Sequence, residues 1–293
     1  MSGDRRVGWA VGINLLLTVV QIVGGLLAGS LSLVADAVHN LSDAVALGLA
    51  YVARKISRRP ADPAMTFGYG RAEMVAALAN YTALILIAAY LVYGAIWRLI
   101  EPQPVEGWIV VIVAGVALAV DTATMLLTFR LSKESLNIRA AFLHNLSDAL
   151  GSLGVILAGT LIILFDWYVA DAVITLAIAA YIGWHVMSEI GPVIRILMLG
   201  TPPALEPESV LAELRAVSGV ADVHHLHIWQ LDERENALEA HLVTACQSAS
   251  EIAEIKVAAK SALKRAFGIS HTTLEFESVD EDCPDDAIFG HSA

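Results

Sequence analysis

Charged residues are scarce in this chain of 293 residues: Asp, Glu, Lys and Arg together make up 16%, against 57% hydrophobic residues. Soluble globular domains carry about 25% charged residues, and a mean hydropathy of +0.65 is high for them. The composition therefore argues against a soluble protein and favours a polytopic membrane protein. Cysteine is scarcer still, because Cys246 and Cys283 are the only two in the sequence, too few for a disulfide framework.

Basic residues are few as well, and the two parts of the chain differ in charge. Residues 1–199 contain 12 basic and 13 acidic residues, whereas residues 200–293 contain 6 and 17, in line with the net charge of −12. Nucleic-acid-binding proteins present basic surfaces, so a nucleic-acid partner is not expected. The charge distribution predicts an apolar part followed by an acidic, water-exposed part.

Six apolar segments are each long enough to cross a bilayer, which takes roughly 20 mostly apolar residues in a helix. The first follows two arginines, as in a signal peptide, but it is long for one and five further segments follow. The sequence therefore predicts a polytopic α-helical membrane protein with six transmembrane helices. These run approximately over residues 7–28, 31–53, 72–99, 108–131, 140–165 and 169–190.

The basic residues also predict an orientation, because loops that stay on the cytoplasmic side carry an excess of Lys and Arg. Before residue 200, all but Arg98 lie ahead of the first segment, between segments two and three, between segments four and five, or after the sixth. Both termini and these two loops are therefore predicted to be cytoplasmic.

The pattern changes after residue 200, where Pro202, Pro203 and Pro207 interrupt the chain. Beyond them, apolar periodicity predicts the order α-β-β-α-β, over 208–217, 220–231, 237–244, 250–267 and 272–278. This order is typical of a small α+β domain. The sequence thus predicts a transmembrane domain over 1–200, a cytoplasmic α+β domain over 205–279 and an acidic, disordered tail over 280–293.

The hexapeptide HNLSDA occurs twice, at 39–44 and at 144–149, and both copies lie inside predicted spans. Residues four apart share a helix face, so His39 points with Asp43 and His144 with Asp148. Ionisable groups in a bilayer are costly and mark functional sites. Two imidazoles and two carboxylates suit tetrahedral Zn²⁺, with Co²⁺ or Cd²⁺ as competitors. The repeat favours a shared metal site over the alternative that each pair only stabilises helix packing.

Two other polar features lie in the predicted spans. Asp36 lies one helical turn before His39 and is a candidate exit-path carboxylate, with a hydrogen-bonded interface residue as the alternative. His185 and Glu189 form a third pair four residues apart, but no partner pair is evident on another span. Two interpretations are open: a second ion site at this pair, or a single histidine that faces the lipid headgroup region.

Five motifs occur in order along nearly the whole chain: GSLSLVADAVHNLSD at 29–43, TFGYGRAEMVAAL at 66–78, RAAFLHNLSDALGS at 139–152, LGTPP at 199–203 and VHHLHIW at 223–229. In these motifs the chain resembles the cation diffusion facilitators, the family of bacterial cobalt-zinc-cadmium resistance exporters and mammalian zinc transporters. The resemblance implies six spans, a metallochaperone-like cytoplasmic domain, a homodimer and metal/proton antiport. Histidine at the position of His39 goes with zinc preference in this family, and Asp or Asn there with iron or manganese.

The resemblance also implies a second metal site, since positions that bind metal in the cytoplasmic domain of zinc-type relatives match His224, His241 and Glu277. The alternative is that these are surface or core residues of a dimerisation domain. If the strand that carries VHHLHIW is regular, His224 and His227 lie on opposite faces, because side chains alternate along a strand. Zinc is then expected both as the substrate and as a regulatory ligand.

The chain departs from some relatives in two places. Met65 and Tyr69 stand where those relatives have metal-binding loop histidines, and only Asp62 is kept, so no metal is expected in this loop. A basic residue at the position of Arg71 pairs with an acid just before the cytoplasmic domain in some relatives. Residues 196–200 read ILMLG here, so that ion pair is not expected.

Together these features predict a zinc/proton antiporter that exports Zn²⁺, and with it Cd²⁺ or Co²⁺, from the cytoplasm by alternating access. The alternatives are an iron(II) or manganese transporter of the same fold, a membrane metal sensor and a passive metal channel. No nucleophile or cofactor motif indicates an enzyme, and no organic cofactor is expected. The expected location is a bacterial inner membrane.

Overall fold

The structure of the protein is a computed structural model. It describes the backbone of residues 2–129, 136–246, 248–280 and 287–289, and within these the side chains of all but 2–14, 127–129, 136–141 and 144. The chain forms two compact units. One comprises Met1–Tyr51 with Ala79–Glu189, and the other comprises Val52–Leu78 with Ile190–Ala293.

Six long helices precede residue 200: α1 (Ser2–Ala28), α2 (Leu31–Ser57), α3 (Ala72–Ile100), α4 (Gly107–Phe129), α5 (Leu136–Phe165) and α6 (Val169–Leu197). Among the described residues, five of them contain a stretch long and apolar enough to cross a membrane, and α1 adds a shorter apolar part, Leu15–Ala28. Each helix falls on one predicted span. With the small three-stranded domain that follows, this confirms the predicted fold class.

Close packing of α4 on α5 depends on two glycines. A Cβ on Gly107 would lie 2.8 Å from the carbonyl oxygen of Gly159, and a Cβ on Gly159 would lie 3.0 Å from a methyl of Val110. Small residues let the backbones of membrane helices approach closely, and this replaces the hydrophobic driving force that lipid does not supply. The interface continues into a buried apolar cluster that also takes in α2, through Leu33 and Val155.

The N-terminus of α2 is held by a carboxylate from α6. Asp171, which is 1% exposed, accepts hydrogen bonds from the hydroxyls of Ser30 and Ser32 at 2.6 and 2.7 Å. It also accepts from the backbone N–H of Leu31 at 2.8 Å, and Arg98 of α3 lies 3.2 Å from it. A carboxylate at a helix N-terminus satisfies N–H groups that have no partner in the helix. Asp171 therefore fixes the end of the helix that carries His39.

The second unit contains the predicted α+β domain. Its elements are α7 (Pro207–Arg215), β1 (Asp222–Gln230), β2 (Asn236–Thr244), α8 (Ala249–Phe267) and β3 (His271–Ser278). The sheet order is β1-β2-β3, with β1 antiparallel and β3 parallel to β2. The two helices and one sheet face enclose a single core, which includes Val210, Leu214, Val223, Leu238, Leu242, Leu263 and Ile269.

Strand β1 is not regular, and this overturns the expectation that His224 and His227 lie on opposite faces. His224 pairs with His241 and His227 pairs with Glu239, so the register shifts between the two histidines. The extra residue is His225, whose φ of 54° lies in the left-handed region. A bulge of this kind adds one residue to one strand. Because Glu239 and His241 share a face of β2, their partners share that face as well.

The far C-terminal segment adds to the edge of this sheet. The backbone N–H groups of His225 and Leu226 donate to the carbonyls of Ala287 and Ile288, both at 2.9 Å. Residues 281–286 and 290–293, on which the prediction of a disordered tail mostly falls, lie outside the described residues. The domain boundaries at 200, 205 and 280 remain predictions.

Arg71, just before α3, binds backbone instead of an acidic side chain. Its guanidinium donates to the carbonyls of Gln230 at 2.9 Å and Leu231 at 3.3 Å, at the end of β1. Within the second unit, hydrogen bonds from Arg71 to these neutral carbonyl groups therefore connect the loop between α2 and α3 to the β1–β2 turn.

Candidate metal centres

The first candidate site lies where α2 meets α5. His39 and Asp43 are one turn apart on α2, and Asp148 projects from α5. Nε2 of His39 lies 3.8 Å from a carboxylate oxygen of Asp43 and 3.7 Å from one of Asp148. Each residue offers a ligand atom, and the three atoms lie within 4.8 Å of one another.

These separations are close to what a small cation requires. Ligands placed 2.0–2.1 Å from zinc in a tetrahedron stand roughly 3.4 Å apart, and both separations from His39 are within a few tenths of an ångström of that spacing. The side chain of Asp148 is 7% exposed and that of His39 is 14% exposed, whereas that of Asp43 is 35% exposed. The cluster is thus enclosed on the side of Asp148 and open on the side of Asp43.

His144 is the fourth residue that the sequence predicts for this site, and its side chain lies outside the described residues. Its backbone belongs to α5, one turn before Asp148. The complete set of four ligands remains a prediction.

Asp36 lies one turn from His39 in a buried network that joins three helices. It is 3% exposed and accepts hydrogen bonds from the amide of Gln21 on α1 at 2.8 Å and from the hydroxyl of Ser152 on α5 at 3.3 Å. Asn40 donates to the other end of the Gln21 amide at 3.3 Å. The network holds α1, α2 and α5 in register directly beside the candidate site.

Sequence reasoning did not single out Gln21, Ser152 or Tyr181 for this site. Gln21 could have been noticed in the sequence, because it is a polar residue in an otherwise apolar span. Tyr181 on α6 stands edge-on to the His39 imidazole, with the ring centroids 6.1 Å apart and an interplanar angle of 90°. No periodicity in the sequence could have paired these two rings, because they are contributed by helices far apart in the chain.

The second candidate site lies on the open face of the sheet. Nδ1 of His241 lies 2.6 Å from one carboxylate oxygen of Glu277, and Nε2 of His224 lies 3.2 Å from the other. These three residues offer ligand atoms within 4.8 Å of one another. His224 and Glu277 are buried, and Glu275 lies 3.4 Å from the far nitrogen of His241. The structure brings together the three residues that the resemblance predicted.

In the loop between α2 and α3, the carboxylate of Asp62 stabilises a turn. Asp62 accepts hydrogen bonds from the Tyr69 hydroxyl at 2.7 Å and from the N–H groups of Ala64 and Met65 at 2.8 and 2.9 Å. The bond from Tyr69 is the main reason that the pKa of this carboxyl is held below its usual range, followed by the bonds from Met65 and Ala64. Its oxygens therefore stabilise the conformation of the loop.

A cluster of imidazole and carboxylates on apolar helices, with a second such cluster on a separate three-stranded domain, is typical of a membrane protein that handles metal ions. Family models identify the class further: residues 9–198 match the cation efflux transmembrane domain and residues 202–279 match the cytoplasmic domain of cation efflux proteins. The chain therefore belongs to the cation efflux family, the cation diffusion facilitators.

Several curated relatives match over most of their length. The chain is 37% identical to the cadmium, cobalt and zinc/H(+)-K(+) antiporter of Bacillus velezensis, over 89% of this chain and 84% of the relative. It is 34% identical to the metal cation efflux system protein CzcD of Cupriavidus metallidurans, over 94% and 87%. It is 32% identical to the zinc transporter ZitB of Escherichia coli, over 99% and 94%.

Among solved structures, the chain matches the metal-bound C-terminal domain of the CzcD transporter from the same Cupriavidus species. The sequences are 32% identical, and the match covers 25% of this chain and 99% of that domain, with a TM-score of 0.23.

Proposed function

We propose that this protein is a zinc/proton antiporter that exports Zn²⁺ from the cytoplasm. The observation that carries the proposal is the meeting of His39, Asp43 and Asp148, from two helices, around a space that fits one small cation. His144 completes the site as the fourth ligand, by the repeat of HNLSDA on α5. The names of the relatives, a cadmium, cobalt and zinc antiporter and a zinc transporter, support zinc as the substrate, with Cd²⁺ and Co²⁺ as further cargo.

Charge balance favours exchange with protons. Two neutral imidazoles, two carboxylates and a divalent cation sum to zero, and an enclosed site in low dielectric disfavours the uncompensated carboxylates that a departing cation leaves. Imidazole nitrogens and carboxylate oxygens bind protons as well as metal, so protons can replace the ion at the same atoms. The exchange then needs no additional group.

The membrane potential bounds the number of protons. Export of Zn²⁺ against one proton moves a net positive charge outward, which costs about 2.3 kcal/mol for each 100 mV of inside-negative potential. One pH unit returns only about 1.4 kcal/mol per proton. Exchange for two protons is electrically neutral, so potential-independent flux is the expected signature of two protons.

Asp36 is the proposed exit-path carboxylate. It lies one turn from His39 toward the N-terminal end of α2, which is the outer end if both termini are cytoplasmic, and its neighbours Gln21 and Ser152 are neutral donors. A cation or proton that leaves the site outward meets this carboxylate first. The alternative role, a hydrogen-bonded packing residue, predicts that Asp36→Asn transports normally.

The cytoplasmic cluster is proposed as a regulatory zinc site in a homodimer. His224, His241 and Glu277 supply two nitrogens and a carboxylate, which is a suitable partial set for zinc. We place the protein in a bacterial inner membrane with both termini cytoplasmic, and we assign it no catalytic reaction and no organic cofactor. The proposed division is a transmembrane domain to residue 200, the cytoplasmic domain from 205 to 279 and a tail beyond.

Flux through the purified protein tests the function. Proteoliposomes that contain a zinc dye and an imposed pH gradient would compare the wild type with His39→Ala and Asp148→Asn. Asp166→Asn is the matched control, because Asp166 is exposed at the end of the same helix. We expect zinc flux that follows the gradient in the wild type and in the control, and no flux in the two site variants.

The other functions give different results in the same assay. Flux of zinc that ignores the pH gradient would indicate a channel, and flux of iron(II) or manganese in preference to zinc would indicate a transporter for those metals. If intact protein moved none of these ions, a metal sensor would be the better account.

A further inference from the structure

A polar stripe on α6 leads away from the transport site. Tyr181, His185 and Glu189 follow one another at four-residue spacing, so they lie along one side of the helix over about 12 Å. The Tyr181 ring stands edge-on to His39 at 6.1 Å and is nearly parallel to the His185 ring, with the centroids 6.4 Å apart and an interplanar angle of 11°. The rings thus form a continuous contact from the site to His185.

These side chains are exposed at the surface of their unit, although α6 is a candidate membrane span. His185 lies 16 residues and Glu189 lies 20 residues after the start of α6, which is about 24 and 30 Å along the helix. His185 is therefore within the depth of the hydrocarbon and Glu189 is at its boundary. Ionisable residues at such depth face water-filled cavities or partners instead of lipid.

The direction of the stripe follows from the chain. The C-terminal end of α6 continues into the domain proposed to be cytoplasmic, so in the proposed orientation Glu189 is on the cytoplasmic side, and Tyr181 is at the level of the transport site. The neighbouring positions Ile182 and Val186 are buried against α3. The helix therefore uses one face for packing and leaves the adjacent polar face exposed at the surface of its unit.

The chemistry of the stripe matches the cargo. His185 and Glu189 repeat the donor types of His39 and Asp43, one imidazole and one carboxylate at the same spacing. Two protein ligands with water at the remaining positions hold a divalent cation loosely, because a stable zinc site uses three or four protein ligands. Loose binding suits a residue pair that captures an ion and releases it onward.

We propose that Tyr181, His185 and Glu189 form the entry path for the divalent cation, in which His185 and Glu189 capture the ion from the cytoplasm and Tyr181 covers the His39 end of the path. The proposal rests on the proposed function, because it delivers zinc to the site assigned there. It adds a capture site and a direction of entry to that function.

Transport kinetics distinguish the capture of zinc on the entry path from its exchange for protons at the transport site. In the proteoliposome assay, initial zinc flux would be measured over a range of zinc concentrations for His185→Gln, Glu189→Gln and the exchange of the two residues, His185→Glu with Glu189→His. Ser188→Ala is the control, since Ser188 is exposed on the same turn and its hydroxyl donates to the carbonyl of His185.

Loss of a capture group lowers flux at low zinc and leaves the maximal rate unchanged. We expect KM to rise about tenfold in each glutamine variant, within the range found when groups around a metal site are removed. We expect near wild-type KM in the exchanged pair and in the control. Recovery of a near wild-type KM in the variant with the two residues swapped is decisive, because a packing or dimer-contact role does not predict this recovery.

Two results would overturn the proposal. If the glutamine variants had wild-type KM, or if the exchanged pair behaved like them, the stripe would be a packing surface and the antiport function would still stand. If the wild type itself moved no zinc, the proposed function would fail and the entry path with it.

Discussion

Replacement of Asp171 by asparagine removes a single charge from the point where α2, α3 and α6 meet, and it keeps the size of the side chain. The carboxylate accepts from both serine hydroxyls at the start of α2, from the backbone of Leu31 and Ser32, and from Arg98. An asparagine amide has one acceptor oxygen, and its NH₂ would face groups that are themselves donors.

The expected loss follows from the pairing with Arg98 and from the helix end. Removal of one partner from a buried charged pair costs about 3–5 kcal/mol, because the other charge stays uncompensated. The Arg98 side chain is 24% exposed, so water compensates part of that charge and the lower value applies. We expect Asp171→Asn to lower the free energy of unfolding by about 3 kcal/mol, a factor of roughly 150 in the folded/unfolded ratio.

Reversible unfolding in mixed micelles, followed by far-ultraviolet circular dichroism at increasing SDS fraction, would measure this loss. Asp166→Asn is the control: it makes the same chemical change at an exposed position in the preceding turn, where a surface substitution stays within about 0.5 kcal/mol. A loss below about 1 kcal/mol for Asp171→Asn, or an equal loss in the control, would refute the assignment of Asp171 as the anchor of α2.

Three further substitutions have defined outcomes. His241→Ala should abolish zinc binding by the cytoplasmic cluster, measured by isothermal titration of a variant that also lacks the transport site, and unchanged binding would exclude this cluster. With the transport site intact, the same substitution should leave proton-driven flux at saturating zinc unchanged in proteoliposomes. Gly159→Ala should cost about 1–3 kcal/mol in the same unfolding assay, because the added methyl meets Val110 at 3.0 Å, and a neutral result would contradict the close packing of α4 on α5. Tyr69→Phe should raise the pKa of Asp62 toward its ordinary value of 3.8, which carbon NMR of the carboxyl group would detect. Because folding lowers this pKa, the ionised carboxylate stabilises the loop at pH values above the pKa of Asp62 in the unfolded chain. That stabilisation is lost as the pH falls through the pKa in the folded protein.

The residues of the proposed transport site could be picked out from the sequence because the relation that joins them is local. His39 and Asp43 are one turn apart on a helix whose existence follows from its apolar length, and the same holds for His144 and Asp148. The repeat then implies that the two helices meet. The step from two pairs to one cluster is the part that only a three-dimensional arrangement could supply, and the structure supplies it for three of the four residues.

The surroundings of the site could not be predicted, because they depend on contacts between distant parts of the chain. Gln21 meets Asp36 across 15 residues, and Ser152 meets it across 116. The β-bulge at His225 is a different case, since it is local in sequence but breaks the alternation on which strand predictions depend. It is this irregularity that places His227 on the face of His224.

Two buried carboxylates show how the surroundings determine a role that residue type leaves open. Asp171 meets a guanidinium and a helix N-terminus, so its negative charge is permanently compensated and it has nothing to offer a passing cation. Asp36 accepts only from a neutral amide and a neutral hydroxyl, and among the described residues no cationic side chain lies within ion-pair distance of it. A mobile cation or proton is the partner that would complete its charge. The same residue type is therefore an anchor on α6 and, on α2, a carboxylate whose neutral surroundings fit the proposed exit path.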